Sequence, residues 1–393
     1  MVSEINQTPK ALRLHIGVFG RTNAGKSTLI NAISGHKTAL TSPVAGTTTD
    51  PVFKPMELLP LGPVVFIDTA GLNDVSELGE IRIKKTLQQL STCDCAIIVI
   101  PSNITNFDEE QKYIEEIKTH KIPYFIVVNQ IGEKTIDTSQ FIGIKAVTVN
   151  LENEKITSIK DAIVELLEDK IEEPQLTGDL IKAGDLVILT APQDIQAPKG
   201  RLILPEVQVL RDLLDNGCMV MTVTSENIQK AFDSLTIKPA LVVTDSQIFK
   251  LVNETIPKDI PLTSFSLLMA KIKADMSKLV EGAKVIDSLQ DGDKIVILES
   301  CSHHALKDDI AREKLPKWLK SYTKKDIIIE TISGQVVPDE LSGYKLAIHC
   351  GGCMVNRRAM ITKQEAFEKA GVPMTNFGIA IAYMNGILDR VCY

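Results

Sequence analysis

The 393-residue chain has no run approaching the ~20 consecutive apolar residues that a membrane-spanning helix needs. Its first ten residues, Met1 to Lys10, are polar and hold no apolar signal core, so the protein is expected in the cytoplasm. Aromatic residues are scarce at 5%, with a single Trp, and 43 Lys and Arg stand against 50 Asp and Glu, for a net charge of −7. That balance argues against a nucleic-acid coat or a polybasic membrane binder. No internal repeat or low-complexity tract is visible. The seven cysteines are an odd number and do not suit a secreted disulfide framework. What remains is an ordinary globular composition, 44% apolar and 24% charged, long enough for two or three domains.

Charge and ligand groups are unevenly distributed. From Phe265 onward there are 18 basic and 16 acidic residues, net +2, which leaves −9 for the first 264. Cys301, Cys350, Cys353 and Cys392, with His303, His304 and His349, lie in the last 93 residues. Cys93, Cys95 and Cys218 adjoin apolar runs and read as small core residues.

From Leu12 to Ile171, short apolar runs (His15 to Phe19, Val64 to Ile67, Ala96 to Ile100, Tyr124 to Val128, Ala146 to Val149) alternate with helical patterns. Such runs suit strands of a parallel sheet covered on both faces. A polar break at Glu172-Glu173-Pro174 opens a second unit, in which Leu186 to Leu189, Met219 to Val223 and Leu241 to Val243 read as strands and Leu202 to Asn216 and Glu226 to Leu235 as helices. At about 85 residues this βαβαβ unit is marginal alone and is expected to dock on something, for which a second copy is one candidate. A third unit begins near Phe265 with one amphipathic helix (Leu267, Leu268, Ile272, Met276, Leu279). Strands at Lys294 to Leu298, Ile327 to Ile332 and Lys345 to Ile348 follow, with helices at His304 to Leu319, Lys363 to Ala370 and Gly378 to Val391. The expectation is an α/β protein of three domains, 1–172, 173–264 and 265–393.

Gly20-Arg21-Thr22-Asn23-Ala24-Gly25-Lys26-Ser27 fits G-x-x-x-x-G-K-[ST] and lies between a predicted strand and a helix beginning near Thr28. Glycines let backbone N–H groups wrap phosphates, Lys26 reaches the β and γ oxygens, Ser27 binds magnesium, and the helix N-terminus adds its dipole. Asp68-Thr69-Ala70-Gly71 follows the next strand. Its acid can hold magnesium through water and the Gly71 amide can meet the γ-phosphate. Between them, Gly46-Thr47-Thr48-Thr49-Asp50 offers hydroxyls to magnesium. Nucleotide contacts are expected from Gly20, Asn23, Ala24, Gly25, Lys26, Ser27, Thr28, Thr47, Asp68, Gly71 and Asn129, and catalysis from Lys26, Asn23, Thr48 and Gly71.

Over residues 12 to 170 these motifs resemble the GTPases of the TrmE and Era type. The resemblance implies GTP, Mg2+ and slow hydrolysis. Leu72 follows Gly71 where Ras-like relatives place a water-orienting Gln, and Asn23 matches the P-loop asparagine of potassium-activated members, so K+ is implied to supply the positive charge. One departure is evident. The guanine-reading N-K-x-D tetrapeptide is here Asn129-Gln130-Ile131-Gly132, without the carboxylate, and a hydrogen bond to a charged group is worth about 1.5 to 3 kcal/mol of base discrimination.

Cys301-Ser302-His303 and, after 45 residues, His349-Cys350-Gly351-Gly352-Cys353 each follow a predicted apolar strand, so sheet ends can bring the two segments to one edge. Three thiolates with a Gly-Gly turn suit an iron-sulfur cluster. A Cys3His zinc site and a dithiol redox switch compete with that reading. Asp308, Asp309, His303, His304, His349 and Cys392 are candidates for a fourth ligand, Asp308 because it stands two helical turns past Cys301 if a helix begins at once.

The combination of a P-loop domain, a small middle α/β unit and a C-terminal C-x-H…H-C-x-x-C set resembles the HydF family of FeFe-hydrogenase maturation GTPases across essentially the whole chain. The resemblance implies a homodimer formed through the middle domain and a 4Fe-4S cluster on Cys301, Cys350 and Cys353 with a variable fourth ligand. It further implies a scaffold that carries the diiron precursor from HydE and HydG to the hydrogenase HydA. The competing reading is a ribosome- or tRNA-associated GTPase with a C-terminal zinc module. The net +2 of the last segment is weak for RNA, and Lys314, Lys317, Lys320, Lys324 and Lys325 read as a solvated helix face.

Overall fold

The computed structural model describes residues 8–34, 51–69, 86, 89–133, 136, 141, 143–151, 156–170, 175–191, 202–300, 309–334, 337–338 and 340–393. The chain divides into two compact units, 1–173 and 174–393.

The first unit is built on a six-stranded sheet. Strands β1 (Leu14–Phe19), β3 (Gly62–Asp68), β4 (Cys95–Pro101), β5 (Tyr124–Asn129) and β6 (Ala146–Val149) are parallel, and β2 (Val52–Leu58) pairs antiparallel with β3 at the edge, in the order β2-β3-β1-β4-β5-β6. All seven residues of β4 are buried, as continuous apolar runs require when helices cover both faces. Helices α1 (Lys26–Ser34) and α3 (Thr157–Leu167) bury Leu29, Ile30, Ile159 and Ile163 against Ile16, Val18, Phe66 and Val99. On the other face, α2 (Asp108–Thr119) buries Tyr113, Ile114 and Ile117 against Phe19, Ile67 and Ile98. Each such side chain contributes about 1.5 to 3 kcal/mol. Cys93 and Cys95 are fully buried in these two layers. The strand order reverses at β1, so its carboxyl end opens on the crevice where this architecture receives ligands.

The second unit holds two four-stranded parallel sheets. One joins β7 (Leu186–Thr190), β8 (Met219–Val223), β9 (Leu241–Thr244) and β10 (Leu262–Ser264) in the order β10-β9-β7-β8. The other joins β11 (Lys294–Glu299), β12 (Ile328–Ser333), β13 (Leu346–His349) and β14 (Met374–Asn376) in the order β12-β11-β13-β14. Both orders are 2-1-3-4 in chain sequence. The unit therefore contains a repeat of topology that the sequence does not advertise, because any Val, Ile or Leu satisfies a strand buried on both faces.

A few fixed positions betray the repeat once the strands are aligned. Helices α4 (Leu204–Asp215) and α9 (Leu315–Thr323) both open on Leu-Pro. Strand β10 runs through Thr263-Ser264 into Phe265 and helix α7 (Phe265–Lys273), and β14 runs through Thr375-Asn376 into Phe377 and helix α11 (Phe377–Met384). Ser264 and Asn376 play the same N-cap part, accepting from the amides of Leu267 and Ile379 at 3.3 and 2.7 Å. The halves meet at equivalent residues, since the Cβ that Gly378 lacks would fall 2.3 Å from Ser266 Oγ. They also exchange edges. Helix α8 (Met276–Lys284) packs Gly282 on β14 at Met374, while Val391 bridges to β10 at Leu262.

Three helix expectations are corrected. The single amphipathic helix from Leu267 to Leu279 is two, α7 and α8, broken at Ala274. Asp275 caps the second by accepting from Ser277 and Lys278, and Gln364 takes both backbone groups of Asp275 at 2.9 and 3.1 Å. A side chain 89 residues away thus stabilises a break that carries no Gly or Pro signal. Helix α11 stops at Met384, short of Val391, because Gly386 takes φ 65°. Among the described residues the helical stretch expected from His304 begins at Ile310, where Asp309 accepts from Ala311 and Arg312, both at 2.9 Å.

Candidate nucleotide and thiolate sites

Gly20 has φ 142° and a Cβ there would lie 2.4 Å from the Val99 carbonyl, so only glycine lets the loop leave β1 this close to β4. Asn23 follows in the left-handed region at φ 62° with its residue exposed. Lys26 is buried and donates to the Gly20 and Arg21 carbonyls, both at 2.8 Å. Burial pushes its amine down to about 8, against the opposing pull of Asp68 and Glu109. Ser27 Oγ donates to Asp68 Oδ2 at 2.7 Å, so the two expected magnesium groups, one from α1 and one from the end of β3, already stand together. Asn129 Nδ2 donates to the Ala24 carbonyl at 3.1 Å and so ties the end of β5 to the phosphate loop. Gly132, where a guanine-reading carboxylate would stand, takes φ 67°. Thr28 is exposed on the first turn of α1. Thr47, Thr48 and Gly71 lie outside the described residues.

The motif gave no sign of the anchor beneath this loop. Arg21 makes a two-pronged contact with Glu110, at 2.8 and 2.7 Å, and donates to the Asn106 carbonyl. Glu110 is wholly buried. Arg21 occupies a free position of the consensus, so only the tertiary fold assigns it this pairing.

The second site sits at the carboxyl ends of β11 and β13, again where strand order reverses. Their register, Leu298 opposite His349, and the bond from the Cys350 amide to the Leu298 carbonyl at 2.9 Å put Ser300 beside Cys350. The Ser300 amide donates to Cys350 Sγ at 3.3 Å, and Ser300 Oγ lies 3.1 Å from His349 Nε2. Burial raises the Cys350 thiol, yet the His349 ring, by charge and hydrogen bond, and the Ser300 and Gly352 amides outweigh it and hold the thiol at about 6. Gly352 turns the C-x-x-C loop at φ 65°.

Two buried lysines flank this turn. Lys273, from the last turn of α7, is 1% exposed and donates to the Gly352 and Val355 carbonyls at 2.8 and 2.9 Å. Lys363, from helix α10 (Arg357–Lys369), is 2% exposed and lies 3.5 Å from His349 Nε2. Burial depresses both amines, Lys273 to about 8. The one available sequence signal is a lysine three residues past Ala270 and six past Leu267, on an apolar helix face.

Of the sequence candidates, His349 and Cys350 stand together at the end of β13, with Cys353 three residues on. Cys301, Asp308, His303 and His304 lie outside the described residues. Among the described residues no group of three His, Cys, Asp or Glu side chains is placed to hold a metal ion. Cys392 stands elsewhere, on the β10 edge, with its amide and thiol both on the Leu262 carbonyl. Asp309 is spent on its helix cap. The donor set that is described, an activated thiol on a left-handed Gly turn with a second thiol three residues on, fits a thiophilic metal or iron-sulfur group.

The phosphate loop, its magnesium pair and the surrounding parallel sheet define a P-loop GTPase domain. Residues 15–130 match the family model of the 50S ribosome-binding GTPase. Residues 176–274 and 277–393 match the models of the hydrogen maturase F dimerization domain and the hydrogen maturase F tetramerization domain. The chain belongs to the HydF family of hydrogenase maturation GTPases. Among curated proteins it is similar to the tRNA modification GTPase MnmE of Legionella pneumophila (strain Paris), 39% identical over 30% of this chain and 27% of that protein. It is also similar to GTPase Der of Campylobacter hominis, 30% identical over 39% of this chain and 35% of that one. The chain thus spans about a quarter to a third of the length of these relatives. Similar solved structures include Era of Aquifex aeolicus (19% identity, 61% of this chain, 97% of that chain, TM-score 0.35) and the G domain of the FeoB iron transporter of T. maritima (23%, 39%, 98%, 0.31). Among the described residues no helix is long and apolar enough to cross a membrane.

Proposed function

We propose that the protein is a cytoplasmic, GTP-hydrolysing scaffold that holds a 4Fe-4S cluster on Cys301, Cys350 and Cys353, with Asp308 or a neighbouring group as fourth ligand, and assembles the diiron precursor of FeFe-hydrogenase. HydE and HydG load it, HydA receives the product, and residues 173–264 form the homodimer contact between the GTPase segment (1–172) and the cluster segment (265–393). The observation that carries the cluster reading is the Ser300 amide on Cys350 Sγ, because the chain reaches Cys301 one residue later. When bound, the cluster supplies an iron atom able to take an added ligand.

In the nucleotide site Lys26 exchanges its two loop carbonyls for the β and γ phosphates. Ser27 and Asp68 would hold Mg2+, to which Thr47 or Thr48 would offer a hydroxyl, and the Gly71 amide would meet the γ-phosphate. Asn23, exposed at the head of the loop, is the K+ ligand. Asn129 supports the loop, and without a carboxylate at Gly132 the preference for GTP over XTP and ATP is shallow.

Anaerobic reconstitution with iron and sulfide tests this reading. A brown protein with a reducible cluster is expected. Cys353→Ala loses it and keeps GTP hydrolysis, and Lys26→Ala does the reverse. A colourless protein that binds one zinc refutes the scaffold.

A further inference from the structure

Burying an ammonium group is costly unless a counter-charge faces it. In the first unit the part-exposed Arg21 meets the fully buried Glu110 carboxylate, whereas the buried Lys26 donates to two carbonyls at the site where a phosphate is expected. Lys273 and Lys363 resemble Lys26 in this respect. Among the described residues none of their hydrogen-bond partners is a carboxylate. Lys273 has two carbonyls, while Lys363 has the Gly334 carbonyl at 3.4 Å and the His349 ring at 3.5 Å, both long for a charged donor. The negative groups that act on them are the thiols, Cys353 and Cys350 on Lys273 and Cys350 on Lys363.

The repeat in the second unit provides an internal comparison. With Leu262 aligned to Met374, the residue equivalent to Lys273 is Asn385, and the strand that ends on His349-Cys350 is matched by one that ends on Thr244-Asp245. Lys273 belongs to the half whose strand ends on Asp245, but it donates to the turn that follows the other half's strand, where the thiols stand; its equivalent in the thiol half, Asn385, carries no charge.

We propose that Lys273 and Lys363 are the counter-charges of the thiolate centre, two buried ammonium groups on α7 and α10 that neutralise the anionic metal core and raise its reduction potential. The inference rests on the thiolate-metal reading above. Three thiolates on a dicationic four-iron core leave a net negative charge that grows on reduction, so nearby cations favour the reduced state. Lys273 also holds the turn that sets the two thiols, which makes it a positioning residue, while Lys363 acts by charge alone. The two are therefore separable.

The test is a redox titration of the full-length protein after anaerobic reconstitution, followed by electron paramagnetic resonance, with iron and sulfide content measured first. Lys273→Met and Lys363→Met keep the aliphatic stem and remove the charge, and Lys273→Arg and Lys363→Arg keep the charge. Each Met variant is expected to bind cluster with a potential more negative by about a tenfold change in the reduction equilibrium, about 59 mV for one electron. The Arg variants should stay near the wild type. If a Met variant loses its iron, recovery of iron in the matching Arg variant supports the charge role, and loss in both overturns it. Cluster-loaded Met variants with the wild-type potential also overturn it. Should the wild type take zinc and no iron, the cluster reading fails separately. The counter-charges are then judged by zinc affinity, where weaker binding in both Met variants supports them and equal binding refutes them.

Discussion

Nucleotide binding should draw a proton onto Lys26. In the free protein its ammonium is buried with two backbone carbonyls for company, and burial brings it down to about 8. A bound triphosphate places negative charge against the same nitrogen and restores a pKa at or above the usual ~10.4. The folded-state pKa of the free form is the lower one, so the free form sheds its proton as pH rises through 8 while the complex keeps it. Binding then takes up about 0.1 proton at pH 7 and about 0.9 at pH 9, and affinity falls about tenfold across that range. Calorimetry in buffers of different ionisation enthalpy reads the uptake directly. Lys26→Arg, which stays charged throughout, supplies the background from guanine and other groups. Wild-type uptake that matches the Arg variant at pH 9 would mean that Lys26 is already charged and well solvated in the empty site, and the account of its burial would be wrong.

Two further outcomes are expected. Gly282→Ala puts a Cβ 2.1 Å from the Met374 carbonyl, a backbone atom of β14 that cannot step aside, so α8 must lift from the sheet at a cost of about 1 to 3 kcal/mol. Thermal unfolding should show a lowered midpoint with GTP hydrolysis retained, and an unchanged midpoint would show that α8 does not pack there. Turnover should be faster in potassium than in sodium buffer, and Asn23→Ala should erase the difference. Equal rates in the two salts for the wild type would remove Asn23 as a cation ligand.

The elements most legible in the sequence were those whose chemistry is local. A continuous run such as Ala96 to Ile100 has one economical fate, a strand covered on both sides, and β4 is that strand. The phosphate loop was legible because its glycines, Lys26 and Ser27 are required by backbone geometry and short-range contacts within eight residues. The pairing of Cys350 with the end of β11 was half legible, since both segments follow apolar strands, but adjacency of β11 and β13 depends on a crossover that no residue pattern specifies. The break at Ala274 and the stop at Met384 are hidden in the sequence for opposite reasons. One depends on Gln364, far along the chain, and the other on Gly386, a local cap that the apolar run masked.

The sequence by itself determined the chemistry on offer, a phosphate loop at one end and paired thiols at the other, because each motif is a short segment whose side chains must act together. The tertiary structure alone decided what surrounds them. Arg21 finds Glu110 across 89 residues, Lys273 reaches beneath a turn 79 residues away, and Cys392 is drawn off to Leu262. Only the fold reveals that the second unit is built twice on one topology. The physical reason is common to all four. A buried charge, a thiol or a strand order takes its meaning from neighbours that packing supplies, and packing of apolar strands and helices is satisfied by many sequences that share no visible pattern.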